Sequence, residues 1–392
     1  MAFATANGIT IHHRIEGRKG AARLVFLNSL GSDLRIWAEV ADRLTDRFEV
    51  LLLDTRGHGL TETTPGPYTI PLLAADVAAL LDVLGWSKVS VAGLSIGGLI
   101  AQHLAIHTPE RIDSLVLMDT AARIGEAQAW NDRIAAVETG GVSAIGEAVA
   151  LRWFSESFPA EHPARFAVWR AMLEATPRVG YAGACAAVRD ADYRGSVSRI
   201  AAPTLAIAGD ADRPTSPDLV KATADLIPGA RFISVEGAGH LPCLERPAKV
   251  AALIADHVAA SRAPAASNRF DAGMTVRRQV LGDAHVDRAS AAITPFDAPF
   301  QRFITEGAWG SVWAGDRFTR RERSIVTIAL LAALGQDEEV AMHVRATRNT
   351  GASGEDVAEA LMHVAVYAGV PAANHAIKIA KKTFAEMEEA AR

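Results

Sequence analysis

The stretch "VAGLSIGG", residues 91–98, sets one hydroxyl, Ser95, between Gly93 and Gly97 where a β-branched run stops and a helical pattern starts. At the end of an apolar strand G-x-S-x-G reads as a strained turn that lifts the serine above the sheet, an ordinary strand-to-helix turn being the alternative. It becomes a nucleophile elbow if the chain also supplies a base and an oxyanion site, because a bare hydroxyl is a weak nucleophile. Two later segments supply the base and its orienting carboxylate. "IAGDADRPTS" places Asp212 just beyond a strand, with Asp210 as a rival two residues away, and "VEGAGHLPCLERP" places His240 in a glycine loop. The order Ser, Asp, His and the gathering of such loops at the carboxyl edge of a parallel sheet predict a converging triad. His58 in "DTRGHG" precedes Ser95, out of order for a base, and is read as structural. His12, His103, His107 and His257 are read as packed or solvated. For the oxyanion, the backbone N–H of Ile96 follows the nucleophile, and "LNSLGSD" offers the second donor, assigned to Leu30.

The elements that must position these groups are legible. "RLVFLN", "FEVLLLD", "KVSVAGL", "SLVLMDT", "PTLAIAG" and "RFISVEG" are short apolar runs separated by longer stretches of helical spacing. This pattern predicts an α/β domain over 1–260 with a mostly parallel sheet covered on both faces. Residues 121–200 hold no strand but many tryptophans and arginines, which predicts an inserted helical cap. "SRAPAASNR", 261–269, reads as a linker, and 270–392 as a smaller all-α domain. Ser353 three residues before Asp356 resembles a capping box.

Composition narrows the function classes. Apolar residues make up 49% and charged residues 22% of 392, ordinary globular usage. The net charge of −5 is spread over both halves, so no basic face invites nucleic acid or an anionic membrane. The two cysteines, Cys185 and Cys243, stand apart from any CxxC or Cys/His cluster, which argues against structural zinc and fits a reducing cytoplasm. "SIVTIALLAALG" is too short to span a bilayer.

The second domain carries its polar residues on helical patterns: Glu322 and Arg323, then His343 and Arg345, then Glu359, His363 and Tyr367 at four-residue spacing on one face. Such a stripe is commonly a solvated face, but "VAEALMHVAVYAG" is apolar nearly all round and is expected to be buried or at an interface.

Across 1–260, "LVFLNSLGSDLRIW", "DTRGHGLTE", "VAGLSIGGLIAQHLA", "GDADRPTSP" and "GAGHLPCLERP" resemble the α/β-hydrolase superfamily in the expected order. The resemblance favours Asp212 over Asp210. Many members open the oxyanion loop with His-Gly, whereas Asn28-Ser29 here is similar to the 3-oxoadipate enol-lactone hydrolases. That implies a lactone substrate bearing a carboxylate, for which Arg133 beside Trp130 is the candidate partner, a solvated helix residue being the alternative.

The segment 270–392 resembles 4-carboxymuconolactone decarboxylase through "VRRQVLGDAHVDRA", "WGSVW", "RRERSIVTIALLAALG", "EVAMHVRATRNTG" and "EALMHVAVYAGVPAANHA". The lack of cysteine here excludes the CxxC chemistry of that superfamily's peroxidase branch. The resemblance implies a reaction without cofactor or metal, with His343 as principal acid and Glu322 nearby. Arg345 or Arg323 would bind carboxylate, with His363 as a further substrate-binding residue, and the domain would form homo-oligomers. The product of that reaction is the lactone of the first, so the chain is expected to be a fused enzyme for two consecutive steps. The rival expectation is a serine esterase, or a cofactor-free perhydrolase, carrying a non-catalytic helical oligomerisation module.

Overall fold

Apolar runs that are buried along their whole length, as Phe48–Leu53, Val89–Leu94 and Thr204–Gly209 are here, sit inside a sheet covered on both faces. The strands are β1 (Ala2–Ala6), β2 (Ile9–Gly17), β3 (Ala22–Leu27), β4 (Phe48–Leu53), β5 (Val89–Leu94), β6 (Ile112–Met118), β7 (Thr204–Gly209) and β8 (Arg231–Val235). They form one sheet in the order β1-β2-β4-β3-β5-β6-β7-β8. From β4 through β8 all neighbours pair parallel, while β1 pairs β2, and β2 pairs β4, antiparallel. The β1–β2 hairpin, absent from the strand-and-helix alternation, turns on Asn7-Gly8, both at positive φ, a dipeptide suited to a two-residue hairpin.

This computed structural model describes residues 2–262 and 266–390. The chain divides into two units, Met1–Arg262 and Ala263–Arg392. In the first, α1 (Ala38–Ala41), α2 (Ile70–Val83) and α3 (Ile96–His107) precede β6. Five cap helices follow it: α4 (Ala127–Gly140), α5 (Ser143–Trp153), α6 (Phe158–Glu161), α7 (Pro163–Glu174) and α8 (Arg178–Asp190). Then come α9 (Pro217–Asp225), α10 (Pro242–Glu245) and α11 (Pro247–Arg262).

The second unit is helical throughout its elements: α12 (Ala266–Leu281), α13 (Asp283–Ala291), α14 (Ala298–Ile304), a π-helical stretch Thr305–Trp313, α15 (Arg320–Ala333), α16 (Asp337–Thr350), α17 (Gly354–Tyr367) and α18 (Val370–Glu389). Ile328, Val340, Val344, Val357, Leu361 and Val364 form its main core. A smaller core holds Val280, Trp309, Trp313 and Ala346. Gly273 and Gly310 allow α12 to lie against the π-helical stretch. A Cβ on Gly273 would stand 2.2 Å from the Thr305 carbonyl oxygen, and one on Gly310 2.4 Å from that of Arg269. Of the expected linker at 261–269, residues 261–262 end α11 and 266–269 begin α12, 263–265 lie outside the described residues, and the boundary between the two units falls within the segment.

Candidate active sites

Ser95 stands at φ 57°, ψ −115°, a strained conformation for a residue with a side chain. The turn is possible only because its neighbours are glycine: a Cβ on Gly93 would lie 2.2 Å from the Gly97 carbonyl oxygen, and one on Gly97 2.4 Å from that of Leu27. The strain is held by the Ser95 N–H donating to Met118 O at 3.0 Å and the Thr120 hydroxyl donating to Ser95 O at 2.7 Å. Ile96 is the first residue of α3, so its N–H has no acceptor within the helix. The Leu30 N–H makes no hydrogen bond among the described residues. The loop carrying it is pinned on both sides. The Gly31 N–H donates to His58 Nε2 at 3.0 Å, and the Leu34 N–H donates to Asp54 Oδ1 at 2.8 Å. His58 is therefore neutral with its proton on Nδ1, which faces the Arg56 carbonyl at 3.2 Å; burial holds its pKa down.

His240 Nδ1 lies 3.0 and 3.1 Å from the two Asp212 oxygens. The Thr215 hydroxyl and N–H donate to the same carboxylate at 2.6 and 3.2 Å. Asp210 is used elsewhere, accepting from the Gly237 and Ala238 N–H groups at 2.8 and 3.3 Å. Glu245 fixes the histidine loop, accepting from the Gly239 N–H at 2.6 Å and from Ser155 of the cap. The Leu241 N–H donates to the Trp153 carbonyl at 3.0 Å, a second tie between that loop and the cap.

Asp119, at the end of β6, went unnoticed in the sequence, where "LMDT" looks like the ordinary end of a strand. It is fully buried at φ 44°, and Asp119, Asp212 and His240 each bring a polar atom within 4.8 Å of the others. Asp119 Oδ1 accepts from the Gly209 N–H at 2.8 Å, and Oδ2 has no neutral donor beside it. Burial and the Asp212 charge push its carboxyl well above the carboxylate range. Burial also works against the Asp212 charge, but His240, Thr215 and Asp119 together hold that carboxyl below its ordinary value.

Ser95, His240 and Leu30 open on one cavity of about 120 Å³, roofed by Trp130, Arg133 and Arg152 of the cap. The Trp130 N–H donates to the Ile124 carbonyl at 2.7 Å, and the Arg133 guanidinium lies 4.8 Å from its ring centre. Arg152 was not singled out in the sequence. Desolvation and the nearby Arg133 lower its pKa, and both guanidinium groups line the cavity onto which Ser95 opens.

In the helical unit, His343 is buried, its ring centre 5.7 Å from that of Trp313 and 6.3 Å from that of Trp309. Its Nδ1 has no hydrogen-bond partner. Burial pushes its pKa down to about 4, against the pull of Glu339 and with the push of His285. Glu339 is the carboxylate one turn before His343, a relation visible in "EVAMH".

The expectation that Glu322 stands beside His343 is corrected: its exposed carboxylate closes a capping box, accepting at 2.7 Å from both the N–H and the hydroxyl of Thr319. Capping wins because the free amides at a helix start are obligatory partners for a nearby acceptor. Arg323 lies over the Phe318 ring, 5.8 Å from its centre, and Arg345 bonds Glu386 at 3.3 Å. His363 is also corrected. It is exposed, 3.9 Å from Glu359 and stacked toward Tyr367 at 6.3 Å, and it lines neither the cavity of Ser95 nor that of Arg345.

Residues 22–247 match the model of the alpha/beta hydrolase fold, and residues 298–382 that of the carboxymuconolactone decarboxylase family. Over 212 residues the chain is 39% identical to 3-oxoadipate enol-lactonase 2 of Acinetobacter baylyi, covering 54% of this chain and 79% of that one. Over 119 residues it is 41% identical to 4-carboxymuconolactone decarboxylase of the same organism, covering 30% and 89%. The crystal structure of the enol-lactonase from Burkholderia xenovorans LB400 superposes with a TM-score of 0.65 at 36% identity, covering 66% of this chain and all of that one. No helix among the described residues is long and apolar enough to cross a membrane. The chain is therefore a fusion that belongs to the alpha/beta hydrolase fold family through its first unit and to the carboxymuconolactone decarboxylase family through its second.

Proposed function

We propose that the chain is a bifunctional enzyme of the β-ketoadipate pathway. It decarboxylates 4-carboxymuconolactone to 3-oxoadipate enol-lactone in the helical unit and hydrolyses that lactone to 3-oxoadipate in the first. One observation carries the reading: the chain joins relatives of two enzymes of which one makes what the other consumes. The substrates are small molecules.

In the first unit, His240 takes the Ser95 proton as the hydroxyl attacks the lactone carbonyl, and the oxyanion forms against the N–H groups of Leu30 and Ile96. Asp212 holds the imidazole in the right tautomer and stabilises the imidazolium. His240 then protonates the leaving enolate oxygen and activates water on the acyl-enzyme. Arg133, with Arg152 beside it, holds the substrate carboxylate against Trp130, a reading supported by their shared cavity with Ser95.

In the helical unit, the bond from the ring γ-carbon to its carboxylate breaks. Its electron pair moves through the ring double bond into the lactone carbonyl, giving a dienolate and CO₂. A proton is then delivered to the α-carbon. The ring is its own electron sink, so the residues need only bind, shield and protonate. His343 starts neutral in its buried site and gains its proton as the substrate carboxylates arrive, since opposite charge favours its protonated form. Arg345 assists binding. Exposed Leu330, Leu334, Met362, Val366 and Tyr367 form an apolar surface on α15 and α17, which supports homo-oligomer formation through this unit.

Ultraviolet-monitored turnover of 4-carboxymuconolactone by the wild type and by Ser95→Ala tests the reading. The variant should accumulate the enol-lactone while the wild type runs on to 3-oxoadipate. If neither consumes the substrate, the helical unit is an assembly module on an esterase or perhydrolase.

A further inference from the structure

Between the start of α13 and one face of α16 lies a cavity of about 370 Å³ whose walls include His285, Arg288, Arg345 and Arg348. The one carboxylate in that wall, Asp283, is already bonded to Arg278 at 3.1 Å. Arg288 has no carboxylate partner among the described residues. Arg348 donates only to the Arg345 carbonyl, and the Arg345 to Glu386 pair is half exposed. Guanidinium groups stay charged at any physiological pH, so three of them around one cavity repel unless an anion joins them. His285 feels this crowding: burial, then Arg288, Arg277 and Arg345, lower its pKa. Round the same helix α16 sits His343, near enough for His285 to lower its pKa and stacked against the two indoles.

The substrate of the decarboxylase reading has two carboxylates with different fates. One leaves as CO₂ and sheds its charge into the ring, while the other remains in the product. A cation on the departing group would stabilise the ground state more than the transition state and slow the reaction. A cation on the group that stays binds both states equally and anchors the ring without that cost. The two environments on this part of the unit, one cationic and one aromatic, match that division.

Resting on the decarboxylase reading, we propose that the cavity lined by His285, Arg288, Arg345 and Arg348 holds the lactone carboxylate that the product retains, leaving the departing carboxylate toward the Trp309 and Trp313 indoles. Arg288 and Arg348 are then binding residues and His343 the residue that meets the ring α-carbon. No carbon dioxide is lost from the end of the molecule that the arginines grip.

The test uses the full chain with two readouts: decarboxylation kinetics, and calorimetric binding of succinate, a dicarboxylate that cannot react. Arg133→Gln is titrated alongside to remove succinate binding in the first unit, and the far-ultraviolet circular dichroism of each variant checks that the helical unit is folded. Arg288→Gln and Arg348→Gln should each raise the KM for 4-carboxymuconolactone about tenfold with kcat changed less than about threefold, the signature of lost uniform binding. Arg288→Lys should recover part of the loss, and succinate affinity should fall in parallel. Unchanged KM and unchanged succinate affinity in both variants overturn the proposal while leaving decarboxylation intact. If the wild type does not decarboxylate at all, the functional reading fails instead. In that case Arg288-dependent succinate binding still upholds the cavity as a dicarboxylate site, and its absence removes the site too.

Discussion

Asp119 and Asp212 lie too close together to carry two charges in a buried site, and the hydrogen bonds decide which one ionises. Asp212 receives Thr215 and His240, whereas Asp119 receives one backbone N–H and has a bare second oxygen. Asp119 is thus the protonated member, able to donate to Asp212. An asparagine there keeps a donor and an acceptor in nearly the same places, so Asp119→Asn should hydrolyse enol-lactone within about threefold of the wild-type rate. Steady-state kinetics check this, and an inactive but folded Asn variant would mean that Asp119 works as an anion. The sequence pointed to Asp212 beside His240 but not to this partner, because residues 119 and 212 meet only across paired strands β6 and β7. The same holds for His58, whose acceptor role toward Gly31 depends on two loops being side by side.

At the scale of elements, the elbow is a steric construction. Its glycines are required by backbone approach, since Gly93 faces Gly97 and Gly97 faces the carbonyl oxygens of Leu27 and Asn28. Gly97→Ala forces the oxyanion loop away from the helix start and should cut hydrolysis at least about a hundredfold, because a donor moved from its place loses most of its effect. Decarboxylation by the same variant, followed in the ultraviolet, should stay near wild type. The caps are a second element-scale device, and one of them explains why a candidate acid was misplaced. T-R-R-E at 319–322 is a capping box, as S-G-E-D at 353–356 is, but only the second was recognised in the sequence. Reading both would have assigned Glu322 to the helix start. The π-helical stretch carried no sequence signal beyond "WGSVW", and it is what sets Trp309 and Trp313 against His343.

For the whole molecule, the buried neutral histidine makes acid a specific threat to the helical unit. His343 has a folded pKa of about 4, below the 6.5 of an ordinary histidine, so between those values the unfolded chain binds a proton that the folded chain refuses. Its stabilising contribution is therefore present above pH 6.5 and is lost as pH falls toward 4. The full loss is about 3 kcal/mol, an order-of-magnitude figure from the shift. Denaturant melts of the full chain at several pH values should show the helical transition weakening over that window, and His343→Gln should flatten the trend. A trend unchanged in the variant would assign it to other groups of the unit, the half-buried His285 first, since its pKa is lowered as well.

What the sequence determined by itself was local and periodic: the strand and helix rhythm, the G-x-S-x-G turn, the order of triad residues, the inserted cap and the switch to all-helical spacing. These follow from side-chain period, glycine and chain order, which neighbours along the chain suffice to express. Only the tertiary structure decided which polar atoms meet. It brought Asp212 rather than Asp210 to His240, put Arg152 beside Arg133, spent Glu322 on its helix start, and gathered Arg288, Arg345 and Arg348 round one cavity. Such meetings depend on distances of a few ångströms between segments far apart in the chain, and burial then sets which of the assembled groups keep their charge.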